Sequence, residues 1–394
     1  MKKIPLYIMA IAVFFAACDS MKKEIDIDSA TFPPKLCVTA ILDGASGVFS
    51  IALSEGRTLA DYKTPLPYDR KITTNGEIRL YEDDRLILSE AGAFDLTQSY
   101  REPYFDWNDT VLIYPEKDGY RFEAPVAANP GSIYRIEIET DRYETVTSVS
   151  AMPSLPDISA TVDTGITVKM TEKIKNYQSL GGWYSGSSNH SDYYHPVSLQ
   201  WGVSAAGRNY YALEMHEDKT VIEGTPNEWN PEKRTNIGIY VTDLSKLQDN
   251  PEVEIYEAQD IDLEASSRDY DMYRFPILLM SDIGFTSGNA SLTLYKTHNF
   301  DLTDEDLERF QQLYPPDTQK LILFNHTVTL RVRHITEATF RYYRSMAMQS
   351  QGVDFFTEPV NIISNIENGY GGFMVFSAID FKLGEYKSFD LRLK

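Results

Sequence analysis

Between Lys35 and Met152 the chain breaks into short β-prone runs separated by turn residues. The clearest, Ile133-Tyr134-Arg135-Ile136-Glu137-Ile138-Glu139, alternates apolar with polar side chains throughout. A period of two puts one face of a strand on a core and the other in water, a pattern no helix can use. The runs at 35–42, 47–54, 76–81, 120–124, 133–140 and 145–152 have the length and spacing of an immunoglobulin-like sandwich. Met152-Pro153-Ser154-Leu155-Pro156 closes this unit, because two prolines three residues apart cannot sit in a paired central strand.

The expected architecture is mostly β. An N-terminal immunoglobulin-like β-sandwich over 35–153 is followed by a larger β-rich domain, sandwich or barrel-like, over 154–394. Candidate strands in the second unit are 158–170, 196–204, 210–216, 235–242, 273–280, 290–295, 321–334, 372–379 and 386–393. Ala205-Ala206-Gly207-Arg208-Asn209 reads as a hairpin loop between two of them. Two segments carry helix signals instead. Thr303 caps a run over 303–314 that begins with acids and is stopped by Pro315-Pro316. Thr336 caps a second over 336–349, with Ile335 and Phe340 placed as a hydrophobic staple. Both helices are expected to plug the end of a sandwich or cover a sheet edge.

The N-terminal end carries a different message. Lys2 and Lys3 precede an apolar run over 4–15, and Ala16-Ala17 lead directly into Cys18. A charged start, an apolar middle and a small-residue cleavage site make a secretory signal. The run is shorter than the roughly 20 residues a membrane-spanning helix needs. Phe15-Ala16-Ala17-Cys18 resembles a bacterial lipobox, so 1–17 reads as a lipoprotein signal peptide and Cys18 as the lipidation site. Residues 18–34 then form a lipidated flexible tether, and the first expected partner is the lipid bilayer. Each buried methylene of an acyl chain adds about 0.8 kcal/mol to that attachment.

Charge narrows the partners further. Lys and Arg number 37 against 58 Asp and Glu, a formal net charge of −21. Loss of 1–17 removes Lys2 and Lys3 and no acid, which makes the body more negative still. Such a field repels nucleic acid and anionic headgroups. Cys37 is the other cysteine, in a β-prone apolar run that suggests a buried, inert thiol.

Signatures of catalysis are sparse. The histidines, His190, His195, His216, His298, His326 and His334, lack zinc-ligand spacing, and no nucleophile elbow, P-loop or dinucleotide fingerprint is present. No cofactor is expected. Glu82-Asp83-Asp84, Asp260-Ile261-Asp262 and Asp269-Tyr270-Asp271 are the densest acidic clusters, and the first reads as a solvated hairpin turn. Glycosidase carboxylates could hide among these acids, because their separation is set by the fold. The better clue is aromatic. The irregular stretches 98–119 and 177–195 hold Tyr104, Trp107, Trp183, Tyr184, Tyr193 and Tyr194, candidate contacts for a glycan or peptide ligand. The alternative is that these rings fold back as small cores under long loops.

Several segments together resemble a known family. They are Pro34-Lys35-Leu36-Cys37-Val38, Met152-Pro153, Arg208-Asn209-Tyr210-Tyr211, Leu279-Met280-Ser281-Asp282 and Phe356-Thr357-Glu358-Pro359-Val360. Most distinctive is Asn365-Ile366-Glu367-Asn368-Gly369-Tyr370-Gly371-Gly372-Phe373. The pattern is similar to Bacteroidetes lipoproteins catalogued as domain of unknown function 4249. The glycine-rich signature reads as architectural, a turn into a late strand, and the resemblance transfers no catalytic residue. It implies an outer-membrane, lipid-anchored setting and a TonB-dependent transporter as a partner; Asp19, Glu24, Asp26 and Asp28, just after the anchor, resemble surface-export signals and favour the cell surface over the periplasmic face. The expected function is a non-enzymatic binding or accessory subunit. A surface glycan-binding or glycan-hydrolysing protein and a structural or adhesive subunit are the alternatives.

Overall fold

Strand pairing brings the two ends of the chain together. The computed structural model describes residues 34–56, 72–100, 104–105, 111–112, 115–166, 168–174, 188–202, 208–225, 231–237, 239–241, 271–275, 277–281, 290–297, 303–313, 319–351 and 362–393. In chain order the first strands are β1 (Leu36–Asp43), β2 (Val48–Glu55), β3 (Thr73–Glu82), β4 (Arg85–Asp95), β5 (Gln98–Tyr100), β6 (Tyr104–Phe105), β7 (Val111–Leu112) and β8 (Pro115–Asp118). Then come β9 (Tyr120–Pro125), β10 (Ile133–Thr140), β11 (Val146–Ala151), β12 (Ile158–Val162), β13 (Val168–Ile174), β14 (Ser188–Trp201), β15 (Tyr210–Glu223) and β16 (Lys233–Asn236). The remainder are β17 (Ile239–Val241), β18 (Asp271–Phe275), β19 (Leu278–Ser281), β20 (Ala290–Thr297), helix α1 (Asp304–Leu313), β21 (Gln319–Ile335), helix α2 (Glu337–Gln351) and β22 (Tyr370–Leu393).

An eight-stranded central sheet runs β16-β15-β21-β22-β1-β2-β9, with β19 paired to β15. A four-stranded sheet, β11-β10-β3-β4, packs on its β1-β2-β9 end, and this is the immunoglobulin-like sandwich. Its core follows the sequence alternation. Leu36, Val38, Ala40 and Leu42 of β1 meet Ile78 and Leu80 of β3 and Tyr134, Ile136 and Ile138 of β10, all essentially free of solvent. A six-stranded sheet, β12-β14-β13-β18-β17-β20, packs on the other end. There Val197, Leu199 and Leu294 face Leu213, Met215, Leu330 and Val332. Since β14 also pairs with β20, five of its strands form a closed circuit of pairings. The fold is thus mostly β, a sandwich followed by a larger sandwich-like unit.

The boundary between them is less sharp than the prolines suggest. β11 ends at Ala151 and β12 begins at Ile158, yet strands from both sides of residue 153 share the central sheet. The seam is β22. Its first part, from Tyr370 to Phe376, pairs in parallel with β1, and from Phe376 onward it pairs antiparallel with β21. Phe373 and Val375 enter the first core, while Leu383 enters the second. The proline segment is pinned to the same seam: Ser154 O accepts from His334 Nδ1 at 2.8 Å and from Ser377 Oγ at 2.6 Å.

The glycine-rich signature builds the seam. Between Tyr370 and Val375, before β22 meets β21, β22 has no strand on that side among the described residues, and the side chain of Asn365 takes its place. Asn365 Nδ2 donates to Phe373 O and Asn365 Oδ1 accepts from Phe373 N, both at 2.8 Å, as an adjacent strand would. Asn368, at φ 60, donates to Thr145 O at 3.0 Å. Gly371 has φ +110, and a Cβ there would sit 1.9 Å from Val38 O, so only glycine lets β22 approach β1.

Local signals account for most ends of elements. Asp83 and Asp84 take φ 46 and 64 in the two-residue turn between β3 and β4, the positive-φ turn that matches strand twist, and Asp83 Oδ1 accepts from Ile133 N at 2.9 Å. Thr303 Oγ1 accepts from Asp306 N, and Asp306 Oδ2 from Thr303 N, both at 3.1 Å, a reciprocal cap for α1. Thr336 Oγ1 accepts from Thr339 N at 3.2 Å, and Ile335 and Phe340 share one apolar cluster, the expected staple of α2.

Four expectations need correction. The runs at 372–379 and 386–393 are one strand, because the residues between them stay paired to β21 through a bulge at Val328/Thr329. Residues 205–209 do not close a hairpin, since β14 and β15 belong to different sheets. The stretch 98–119 is not irregular throughout: β5 pairs β8 and β6 pairs β7. Helix α2 covers a sheet face, not an edge, with Phe340 and Tyr343 against Tyr210, Ala212 and Phe376.

Substituting Gly371→Ala should lower stability by about 3 kcal/mol, seen as an earlier urea midpoint. Gly92→Ala, where a Cβ meets nothing within 4 Å, should stay within about 0.5 kcal/mol of the parent. Equal midpoints for the two variants would contradict the close approach at the seam.

Candidate functional site

The sheet face that carries α2 continues, past its apolar patch, as a ladder of charges. On β15 the positions after Ala212 on that face are Glu214, His216 and Asp218; on β21 they are Arg333 and Arg331; on β22 it is Asp380. Glu214, Arg331 and Asp380 fall in one cross-strand row. Arg331 grips Asp380 through two parallel bonds, Nε to Oδ1 at 2.7 Å and Nη2 to Oδ2 at 2.8 Å, and reaches Asp43 Oδ2 at 3.4 Å. Arg333 pairs with Glu214 and lies 4.6 Å over the Phe376 ring. Arg234 of β16 holds Asp218 through bonds of 2.7 and 2.9 Å.

Electrostatics follow from these contacts. The bonds from Arg331 and Arg234 hold the Asp380 and Asp218 carboxyls below the usual range, and the bond to Asp380 raises the already high pKa of Arg331. His216 is 5% exposed, and its Nε2 is buried without a hydrogen bond. Burial pushes its pKa down against Glu214, while Arg234 and Arg331 add to the effect. The Asp380 and Asp218 carboxylates are therefore ionised and held by arginines, an arrangement that fixes strand register.

A second polar group lies between the sheets, beyond the core of the larger unit. The Tyr386 hydroxyl donates to Glu217, His326 Nδ1 is 3.3 Å from Glu217 Oε1, and His326 Nε2 lies 2.7 Å from Ser388 Oγ. The His326 and Tyr386 rings stack at 4.4 Å. The bond with His326 lowers the Glu217 pKa, and burial raises that of Tyr386. Lys296 of β20 is 8% exposed and comes so close to β22 that a Cβ on Gly384 would be 2.5 Å from its Nζ. Burial alone pushes the Lys296 amine down. Among the described residues no group of three or more His, Cys, Asp or Glu is placed to hold a metal ion.

Of the aromatic candidates, Tyr104, Tyr193 and Tyr194 lie among the described residues. Tyr104 lies in β6 and Tyr193 in β14, while Trp107, Trp183, Tyr184 and the lipidation candidate Cys18 fall outside the described residues. Residues 188–195 are strand, so Tyr194 is not on a loop. It is 1% exposed, a packed ring with no surface to offer a ligand. Cys37 is a half-buried free thiol whose pKa is raised by burial, in keeping with an inert side chain. Glu82 is buried and accepts from Tyr134, Asn129 and Arg85, while Asp83 and Asp84 form the expected turn. The same burial pushes the Tyr134 hydroxyl up to about 12. Asp260-Ile261-Asp262 lies outside the described residues.

The family is decided at the level of the whole chain. A model described as domain of unknown function (DUF4249) matches residues 22–380. The chain belongs to this family. The match takes in the seam signature, the first sandwich core and the charged ladder as far as Asp380, and it ends before Leu383, Tyr386 and Ser388. No curated protein matches the sequence. Sequence reasoning passed over Arg331, Asp380 and His216. Their signal was present in the alternation of Glu214-Met215-His216-Glu217-Asp218 with Arg331-Val332-Arg333, two strands with apolar cores on one face and charges on the other.

The depressed pKa of His216 fixes a sign. Its unfolded form binds a proton near pH 6.5 and its folded form only at lower pH, so stability falls as pH drops from about 6.5 through the folded value. The Asp380 and Asp218 contributions, also depressed, are present above about pH 3.8 and lost below it. Chemical denaturation across pH 2 to 8 should show both losses, the His216 loss below about pH 6.5 and the aspartate loss below about pH 3.8. His216→Asn should flatten the upper one and leave the acid one in place.

Proposed function

We propose that this protein is a non-enzymatic lipoprotein of the outer membrane, anchored by an acylated Cys18, that serves as a binding or accessory subunit beside a TonB-dependent transporter. The observation that carries the reading is the run from Lys2 through Ala17 to Cys18. Two acyl chains on one sulfur hold a body at a membrane almost permanently, and a permanently anchored body acts on what its neighbours bring. The charged ladder supports the non-enzymatic part, since its carboxylates are held by Arg331, Arg234 and Arg333. The acidic surface favours a protein or neutral ligand over nucleic acid.

A second reading is a surface glycan-binding or glycan-hydrolysing protein. The aromatic stretch 98–119 favours it, because its tyrosines and tryptophan offer flat apolar area with a hydrogen-bonding tip, the chemistry that suits sugar rings. A structural or adhesive subunit, built by strand exchange at a sheet edge, is the third.

Replacing Cys18 by Ser should abolish acyl labelling and release the protein from the membrane fraction. Cross-linking in intact cells, followed by detergent extraction, should recover the parent with a transporter and the variant without one. A parent that is recovered alone refutes the accessory role. Release of reducing ends from a polysaccharide, lost on a single Asp or Glu substitution, would favour the hydrolase.

A further inference from the structure

The end of the molecule where β1 begins has an apolar surface. Helix α2 runs back along β1 towards it: Phe340 packs with Phe376, Tyr342 lies against Gly372, and Ser345 Oγ accepts from Ile363 N at 2.9 Å. The last turns of α2, the segment 362–369 and the first residues of β1 and β22 therefore meet at one end. Four of the eleven large apolar side chains exposed among the described residues are gathered there: Met346 at 44%, Ile362 at 43%, Ile363 at 50% and Tyr370 at 44%. Lys35 Nζ is seated 5.6 Å from the centre of the Tyr370 ring. Aliphatic side chains, a tyrosine and a lysine stem make the mixture that settles at the headgroup boundary of a bilayer.

Two observations select lipid as the occupant. Pro34 leads into β1 at this end, and Cys18 lies sixteen residues before it. A chain of that length reaches about 22 Å r.m.s. as a coil and at most about 55 Å drawn out. An anchor at Cys18 thus brings this end to the bilayer first. Leu86, Ile133 and Val149, the large exposed apolar residues of the first sandwich among the described residues, lie towards the far end, where β10 begins. Lys35 brings a positive charge to the patch, in a chain of net −21, while the exposed Glu367 of the same segment accepts from Thr147 Oγ1 of β11 at 3.0 Å.

We propose that Met346, Ile362, Ile363 and Tyr370, with Lys35, form the face on which the body rests against a neutral lipid interface. The inference rests on the acylated-Cys18 reading, and its test separates the two. A chain beginning at residue 18, with a hexahistidine tag in place of acyl chains, is held on phosphatidylcholine vesicles by nickel-chelating lipid. It carries the NBD fluorophore at Ile363→Cys or at Leu86→Cys, in a Cys18→Ser, Cys37→Ala background. The label at 363 should shift to shorter wavelength on vesicles and lose emission to brominated acyl chains, while the label at 86 should do neither. Without the nickel lipid, the Ile362→Ser, Ile363→Ser double variant should bind these vesicles about tenfold less than the parent.

A label at 363 that stays as wet as the label at 86 overturns the proposal. So does one that responds only when solubilised envelope proteins are added, which would assign the face to a protein partner. The intact mass of the native chain is measured separately. An unmodified Cys18 would refute the anchor, while the vesicle result still decides the face.

Discussion

The parallel pairing of β1 with the first third of β22 is the constraint on which the rest of the structure depends. It is the one parallel contact in the described central sheet, and it joins elements from opposite ends of the chain. Parallel pairs need long connections, and here the connection is most of the protein. Because β22 then passes to β21, one strand contributes to both cores, and neither sandwich closes its central sheet without it. The devices gathered at this seam follow from that. Asn365 stands in for a missing strand, Gly371 removes a Cβ, Ser154 is pinned from two sides, and α2 covers the outer face.

The charged ladder is best understood against the same frame. Buried and half-buried ion pairs are weak sources of net stability, since desolvation offsets most of the attraction. What they do supply is register. A one-residue slip of β21 against β22 would turn Arg331 and Arg333 into the apolar layer and expose Val332 and Leu330, leaving unpaired charges where desolvation is most costly. The long β15–β21–β22 ribbon is the part of the sheet most in need of such a pin, because seventeen residues of β21 could otherwise slide along a mostly apolar partner.

The sequence made the strands legible where one face meets water, as in β10, whose alternation matches its burial residue for residue beyond the first position. Caps were legible too, because Thr303 and Thr336 act on groups three residues away. Legibility failed where the deciding contact is remote. Arg85–Asp95 went unread as strand because its small and polar residues lie at a sheet edge, with burial that follows no clear period. The hairpin read at 205–209 failed because adjacency in sequence does not say which sheet a strand joins. The shared central sheet was illegible for the same reason: Met152-Pro153-Ser154-Leu155-Pro156 does interrupt pairing, but nothing local to those residues records that β1 will lie beside β22.

That remoteness bears on how the chain reaches its fold. Contacts between β1 and β22 span more than three hundred residues, and closure of so long a loop must precede any reward from the pairing. The strands β3, β4, β10 and β11 can pair early through near neighbours, yet their core stays open on the Phe373 and Val375 side until the last segment arrives. A chain exported unfolded, as the proposed lipoprotein would be, gains from that order. With its N-terminal strand unable to find its partner until the C-terminal strand has followed, it cannot lock into the final sheet while still threading through a membrane. In the proposed lipoprotein the anchor position and the seam would act together: the first residues would be held at the bilayer, and the last ones would complete the sheet that begins beside them.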